Sequence, residues 1–471
     1  MKTLIGILLF CTVGSATVYS QTVLTLDSCR ALALQNNKEL RITREKTKAA
    51  HFERKAAFTN YLPKLSATGA YLHNNREISL LSDEQQTAIS NMGTTVATAI
   101  PPLQTLGVDQ LLNSLGGTLV NGLRTDTRNV YAGAVTLTQP IFMGGKIRAY
   151  NQITRFTEKL SQAQEKAGTQ ETILSTDEAY WQVVSLANKK KLAESFLELV
   201  KKLDSDVDKM IREGVATKAD GLSVKVKVNE AEMTLTKVND GLSLARMLLC
   251  QRCGIPLDTP IRLADEELND LALPASSTTA NVETALANRP EIISLELANK
   301  IYRQKVNLVR SEFLPSVALT GNYLVTNPSV FNSFEKKFRG MWSVGVMVNI
   351  PLFHWGEGVY KVKSARAQAD AARYQLDNAK EQIELQVNQC AYKVNEAAHK
   401  LTMAQKNMEK AEENLRYANL GFREGVISTS NVLEAQTAWL SAQSEKIDAQ
   451  IDVKLTDVYL KKAIGQLSAG F

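Results

Sequence analysis

The chain has 471 residues, of which 22% are charged, 44% hydrophobic and 6% aromatic. Its net charge of +6 is spread without a basic patch interleaved with aromatics, which excludes nucleic-acid binding as its organising function. Beyond the N-terminus no run of about 18 apolar residues occurs, so any passage through a bilayer has to be made by strands rather than helices.

In chain order, residues 1–20 predict a secretory signal peptide. Lys2 supplies the positive start, Leu4 to Val13 the apolar core, and Ser15 to Ser20 the small-residue stretch, with cleavage before Gln21. Cys11 follows the bulky Phe10, which argues against lipidation there. The segment from Leu26 to Asn60 predicts a helix with Asp27 as N-cap, and Pro63 follows its end. Leu65, Ala67, Gly69 and Tyr71 then bring in the two-residue period of a strand. Four cysteines follow the signal: Cys29, Cys250, Cys253 and Cys390. Cys250 and Cys253 have CxxC spacing at the end of a helix with no second ligand pair nearby, so packing is favoured over a disulfide or metal role.

An internal repeat organises everything that follows. Tyr61-Leu62-Pro63 recurs at Phe313-Leu314-Pro315, 252 residues on, with Thr68-Gly69 and Tyr71-Leu72 matched by Thr320-Gly321 and Tyr323-Leu324. Pro140-Ile141-Phe142 and Gly145 recur at Pro351-Leu352-Phe353 and Gly356, and Arg212-Glu213-Gly214-Val215 at Arg423-Glu424-Gly425-Val426, both 211 residues on. The 41-residue excess places an insertion at about Asn74 to Asn129. It is rich in Ser, Thr, Asn and Gly around Pro101-Pro102, and is expected to be a long loop with short helices near Asp83 to Ile89 and Gly107 to Leu115. Between corner and glycine tip runs a proline-free helical stretch of about 69 residues, on the order of 100 Å long.

The expected organisation is a first repeat at 21–254 and a second at 281–471, joined by a linker at 255–280. In the first repeat a helix is followed by a strand pair (62–141, containing the 74–129 loop), a long helix (145–213) and a return helix (217–252). The second has a helix, a strand pair (314–352), a long helix (356–424) and a return helix (429–466). The shorter helices are expected to continue from where each return helix stops, giving one long rod beside two stacked ones.

Val344, Val346, Val348 and Ile350 alternate with Ser343, Gly345, Met347 and Asn349. A soluble sheet with one buried face would also alternate. Tyr61, Tyr71, Tyr131, Phe142, Phe313, Trp342, Phe353 and Trp355 at the segment ends favour a membrane barrel with interfacial aromatics. Four strands per chain cannot close a barrel, and lipid tolerates no open edge. Two chains would give eight strands, which their own side chains fill; three would give twelve and leave an opening. The fold class read from these residues is mainly α with a small β part, a coiled-coil bundle of long helices plus four strands per chain toward a membrane barrel closed by further copies, and a conduit would favour three.

The duplicated Leu-Pro strand start, the corner Gln139-Pro-Ile-Phe-Met-Gly-Gly145 and the tip Phe422-Arg-Glu-Gly-Val-Ile-Ser-Thr-Ser-Asn-Val-Leu-Glu-Ala-Gln436 resemble the TolC-like outer-membrane efflux protein family over nearly the whole chain. The resemblance implies a homotrimer in outer-membrane lipid, in which four strands per chain form a trimeric 12-strand transmembrane β-barrel continuous with a long α-helical barrel that extends into the periplasm and is closed at its inner end. Its implied partners are a periplasmic adaptor (membrane fusion) protein and an inner-membrane pump of RND, ABC or MFS type. By the same resemblance Gly214, Val215, Gly425 and Val426 match adaptor-docking tips, and Asp220, Asn431 and Glu434 match the periplasmic entrance, with Asn431 replacing one of two acidic residues. Phe422 and Ile427 stand where a hydroxyl and a basic group of the familiar latch belong, so closure by apolar packing is expected instead.

No catalytic, cofactor or metal constellation is legible. His51, His73, His354 and His399 are scattered, no phosphate loop or nucleophile elbow occurs, and the His399/Met403 pair suits an ordinary surface better than a soft-metal site. The expectation is a passive exit duct of a tripartite efflux or secretion system, opened by adaptor docking. The alternative is a secreted periplasmic coiled-coil scaffold or adaptor without a pore.

Overall fold

The computed structural model describes residues 22–75, 77–79, 81–100, 107–267, 281–331 and 335–468. The signal segment 1–20, Pro101-Pro102 and the 268–280 part of the linker lie outside them. The chain divides into two compact units: Met1–Ala50, Glu158–Ala298 and Ala372–Phe471 form one, His51–Thr157 and Asn299–Ala371 the other.

The elements in order are β1 (Thr22–Leu24), α1 (Leu26–Asn36), α2 (Lys38–Phe58), β2 (Lys64–His73), β3 (Ile78–Ser79), α3 (Asp83–Ser90), α4 (Met92–Ala99), α5 (Val108–Gly122), β4 (Arg124–Thr125), β5 (Asn129–Met143), α6 (Lys146–Arg212), α7 (Lys218–Cys253), β6 (Ile261–Leu263), α8 (Val282–Asn288), α9 (Pro290–Ser311), β7 (Ser316–Asn327), β8 (Arg339–Asn349), α10 (Glu357–Arg423) and α11 (Thr429–Ala463). The long helices α6 and α10 each have 67 residues. Among the described residues no helix is long and apolar enough to cross a membrane.

In the helical unit the core follows a three-to-four residue spacing on α6: Ile173, Tyr180, Val183, Val184 and Ala187 are buried. Tyr180, Val183, Val184 and Ala187 meet Leu242, Ala245 and Leu249 of α7 in one cluster with Leu24, Ile261 and Leu263. The last three belong to a two-stranded parallel clamp, β1 with β6, pairing Thr22 with Ile261 and Leu24 with Leu263. The start of the expected linker is thus structured. The acidic residues that follow β6 dock as well, Tyr180 donating to Asp265 at 2.6 Å and Arg246 to Glu266 at 2.9 Å.

Both predicted shorter helices are broken, at equivalent positions and for local reasons. Asn37 leaves the helical region (ψ 126°); its Oδ1 accepts from the Glu39 and Leu40 amides to start α2, and its Nδ2 donates to the Arg252 carbonyl at the end of α7. Arg289 is extended (ψ 124°) because Pro290, the first residue of α9, disfavours α geometry in the residue before it. Left-handed glycines end the return helices against these breaks. A Cβ on Gly254 would lie 2.6 Å from that of Asn36, and one on Gly465 3.0 Å from the Arg289 nitrogen. The N-cap of α1 is Thr25, whose hydroxyl accepts from Ser28 N, and not Asp27, which lies in the first turn.

Arg30 on α1 binds Asp177 on α6 through two hydrogen bonds, 2.7 and 2.6 Å. The Asp177 side chain is fully buried. Burial pushes its carboxyl above the usual range, against the pull of the Arg30 guanidinium. The structure also adds Cys29 to the CxxC: Cys29, Cys250 and Cys253 are all buried and free in one core cluster. The Cys253 thiol donates to the Cys29 carbonyl at 3.7 Å. Among the described residues no cluster suited to a metal ion occurs.

The second unit holds a four-stranded antiparallel sheet, β2-β5-β7-β8, with the outer edges of β2 and β8 unpaired among the described residues. The first repeat's strand runs on through Pro140 to Met143, and the ladder to β7 shifts register between Pro140 and Phe142, where a residue without an amide hydrogen is tolerated. At the corner Gly144 and Gly145 have positive φ. Their counterparts are Trp355 (φ 48°) and Gly356, so the second repeat holds an exposed tryptophan in the left-handed region at about 1–2 kcal/mol.

The 74–129 insertion is mainly helical rather than a long loop. α3 and α5 fall where short helices are expected, α5 is longer, and α4 has no counterpart in the sequence reading. The helices cross closely because Gly93 faces the Asp109 carbonyl and Gly116 the Ile89 carbonyl, positions a Cβ would occupy at about 2 Å. Asn113 caps the crossing by accepting from Gly93 N at 2.8 Å.

Arg30→Met leaves a buried Asp177 without its partner. We expect α1 amide opening, measured by hydrogen exchange, to become easier by about 3–5 kcal/mol. The double change Arg30→Met, Asp177→Leu should recover most of that loss.

Candidate functional site

The helical unit carries two hairpin tips, α6 to α7 and α10 to α11, built by the same rules. At the first, Gly214 adopts φ 78°, its amide bonds Ile211 O at 3.1 Å, and the Val215 amide reaches back to Met210 O at 2.8 Å. At the second, Gly425 adopts φ 73°, with Gly425 N to Phe422 O at 3.0 Å and Val426 N to Gly421 O at 2.8 Å. Each is a Schellman stop, in which a left-handed residue lets two amides satisfy carbonyls the helix would leave bare. A Cβ on either glycine would meet nothing within 4 Å, so only the backbone conformation demands glycine here. The valines that follow project into solvent, 68% exposed at Val215 and 80% at Val426.

The return helices begin three residues later with different caps. Thr217 accepts from the Asp220 amide, and the Asp220 carboxylate accepts from both the Thr217 amide (2.9 Å) and its hydroxyl (2.6 Å), a closed capping box. These hydrogen bonds hold the Asp220 carboxyl below its ordinary range, the Thr217 side chain contributing most. Ser428 accepts from the Asn431 amide at 3.4 Å. Asp220 and Asn431 thus occupy the same helical position of the two repeats, and Glu434 lies one turn further along α11, exposed. The Asp220 carboxylate is engaged by its own cap.

Beneath the tips the two hairpins share one core: Phe196, Val200, Leu203 and Val207 of α6, Val224 and Ala231 of α7, Phe422 of α10 and Val432 of α11. Ile427 packs on it and approaches Gly421 so closely that a Cβ there would stand 2.7 Å from its Cδ1. Phe422 and Ile427, which depart from the familiar latch, are therefore core residues.

A groove with no sequence signal beyond Phe422 itself lies between the tips. It encloses about 630 Å³, and Val215, Lys202, Asp206, Arg423, Gly425 and Gln436 are among its lining residues. Gln436 is 1% exposed, and its Oε1 has no hydrogen-bond partner. Apolar walls, a buried amide oxygen and a rim of both charges suit a peptide surface better than a small anion.

Comparison with known proteins places these features in context. The family model described as outer membrane efflux protein matches residues 30–251 and 281–466. The alkaline protease secretion protein AprF of Pseudomonas aeruginosa is 24% identical over 241 residues, covering 50% of this chain and 49% of that protein. The probable outer membrane lipoprotein SilC of Salmonella typhimurium is 22% identical over 306 residues, covering 63% and 62%. The chain spans about half the length of the first of these relatives and under two thirds of the second. Among solved structures, the outer membrane protein VceC of Vibrio cholerae superposes with a TM-score of 0.73 at 16% identity, covering 93% of this chain and 96% of that one.

The two caps titrate differently. Because the folded Asp220 carboxyl lies below its unfolded value, its cap is fully formed above about pH 4 and is lost as pH falls through the folded value. We expect hydrogen-exchange protection of the first turn of α7 to fall in acid while that of α11, capped over Asn431, stays level. Gly425→Ala should loosen the second tip by about 1–2 kcal/mol, read as the opening free energy of the amides that end α10.

Proposed function

The chain belongs to the outer membrane efflux protein family, and from that premise we propose that it is the passive exit duct of a tripartite export system, assembled as a trimer and opened at its helix tips by a periplasmic adaptor. The observation that carries this reading is the open sheet. β8 is exposed along its whole length, with Trp342, Val344, Val346 and Val348 more than half exposed. Such a ribbon is stable neither in water nor, with free edges, in lipid. Closure by copies of the same sheet removes the edges, and twelve strands leave a lumen where eight would be filled.

The tips support the adaptor part of the proposal. Two glycine stops at the ends of equal helices each present one exposed valine beside the groove over the shared core, and three chains would present six such tips. A family of efflux channels also sets aside enzymatic chemistry. Choice of cargo then falls to an inner-membrane pump, because a duct of this kind selects by width and charge. At its entrance Glu434 would contribute three carboxylates around the axis of a trimer, favouring cations.

The tests are direct. Extraction of outer membranes with carbonate should leave the protein in the pellet, and its appearance in the wash would return the scaffold reading. In planar bilayers the purified trimer should conduct, Glu434→Gln should reduce cation preference, and Val215→Asp with Val426→Asp should abolish adaptor capture with conductance retained.

A further inference from the structure

The second unit holds two cavities at equivalent places of the two repeats, each beside the corner where a strand gives way to a long helix. One, about 490 Å³, is lined by Arg54, Lys55, Arg148 and Arg155 with Phe58 and Tyr61. The other, about 560 Å³, is lined by Arg310, Lys363, Arg366 and His354 beside Phe313 and Leu352. Arg155 and Arg366 are counterparts, 211 residues apart, and so are Tyr61 and Phe313, 252 apart. Neither lining contains a carboxylate. Among the described residues Arg148, Arg155, Lys363 and Arg366 form no ion pair, whereas Lys361, on the same turn of α10, is paired with Glu357 at 2.6 Å.

Arg54 is engaged within the protein, and the remaining cations of the two linings gather without an ion-pair partner among the described residues, which favours the arrival of an anion. The apolar rims limit what that anion is. Phe58 and Tyr61 are 59% and 41% exposed, and Leu352 is 89% exposed. Exposed cations beside exposed aromatic and aliphatic side chains match a molecule that carries a phosphate beside hydrocarbon, and arginine suits phosphate through its paired donors. The cavities stand at the sheet end opposite the 74–129 insertion, at the depth where aromatic side chains and basic residues meet headgroups.

We propose that each cavity binds the phosphodiester headgroup of an inner-leaflet phospholipid, giving two lipid sites per chain. This rests on the membrane reading above. Each bound lipid anchors the end of the sheet where strand becomes helix and so holds the corner at its depth in the bilayer.

The test is mass spectrometry of the intact full-length protein extracted from membranes and incubated with phosphatidylglycerol. Two retained lipids per chain are expected. Arg148→Glu with Arg155→Glu should remove one of them, lowering retention at that site at least tenfold, and Lys363→Glu with Arg366→Glu should remove the other. The milder pair Arg155→Gln, Arg366→Gln should weaken both without altering assembly, as judged by the mass of the complex. Equal retention of a diacylglycerol with the same chains would overturn the phosphate assignment. Displacement by excess inorganic phosphate would make these free-anion sites and overturn the lipid one. Retention unchanged in the charge-reversed variants would overturn the proposal outright. Protein that stays in carbonate-washed membranes yet retains no lipid would refute this inference alone, leaving the channel reading standing.

Discussion

Helix length is the constraint on which the rest of the molecule depends, and glycines in the left-handed region set it. Gly214 and Gly425 stop the two 67-residue helices, and Gly254 and Gly465 stop the return helices. At the tips the surroundings are empty and only the backbone dihedral selects glycine. At the return ends the chain also passes so close to Asn36 and Arg289 that no side chain fits. Each of these four helices therefore ends at a fixed residue, and two repeats with identical stops deliver two tips in matched form. The proposed opening by a partner that grips several tips at once needs that uniformity.

The joints opposite the return helices solve a different problem. A helix as long as α6 needs a partner along its length, but α7 has only 36 residues. The chain supplies the remainder as α2, starting at Asn37 where α7 stops. Asn37 serves both ends at once, capping α2 with its oxygen and meeting the last turn of α7 with its nitrogen. In the second repeat Pro290 performs the break by steric exclusion. The same geometry thus arises from two local chemistries, which is why simple residue matching between the repeats does not reveal it. The Arg30–Asp177 pair and the β1–β6 clamp then fix α1 to the helical unit, binding the first described strand to the segment that follows α7.

The sheet inverts the logic of a soluble domain. Its strands expose Leu65, Trp342, Val344 and Val346, and among the described residues no core cluster lies beneath them and both outer edges lack partners. On the proposed reading, the stabilising burial is supplied by lipid and by other copies. The strained Trp355 at the corner fits the same account: the left-handed conformation costs energy there, and in exchange an aromatic ring stands 88% exposed beside Phe353 at the expected headgroup level.

Much of this was legible in the sequence, because a duplication with fixed offsets carries its own ruler. Glycine before valine after a long proline-free run identifies a helix stop, and the alternation from Ser343 to Ile350 identifies a strand, since both signals arise from local backbone chemistry and side-chain period. The outer-membrane family is likewise written in the corner and tip motifs. What the residues could not announce were contacts between distant segments. Asn37 and Arg289 break helices that periodicity would continue; Cys29 joins Cys250 and Cys253 from more than 200 residues away; Asp220 turns inward to its own cap. The cationic cavities, too, exist only once α2 lies beside α6 and α9 beside α10. Local stops and periods follow from neighbouring residues and so from the sequence itself, whereas which side chains share a core, a cap or a cavity is decided only when the chain has packed.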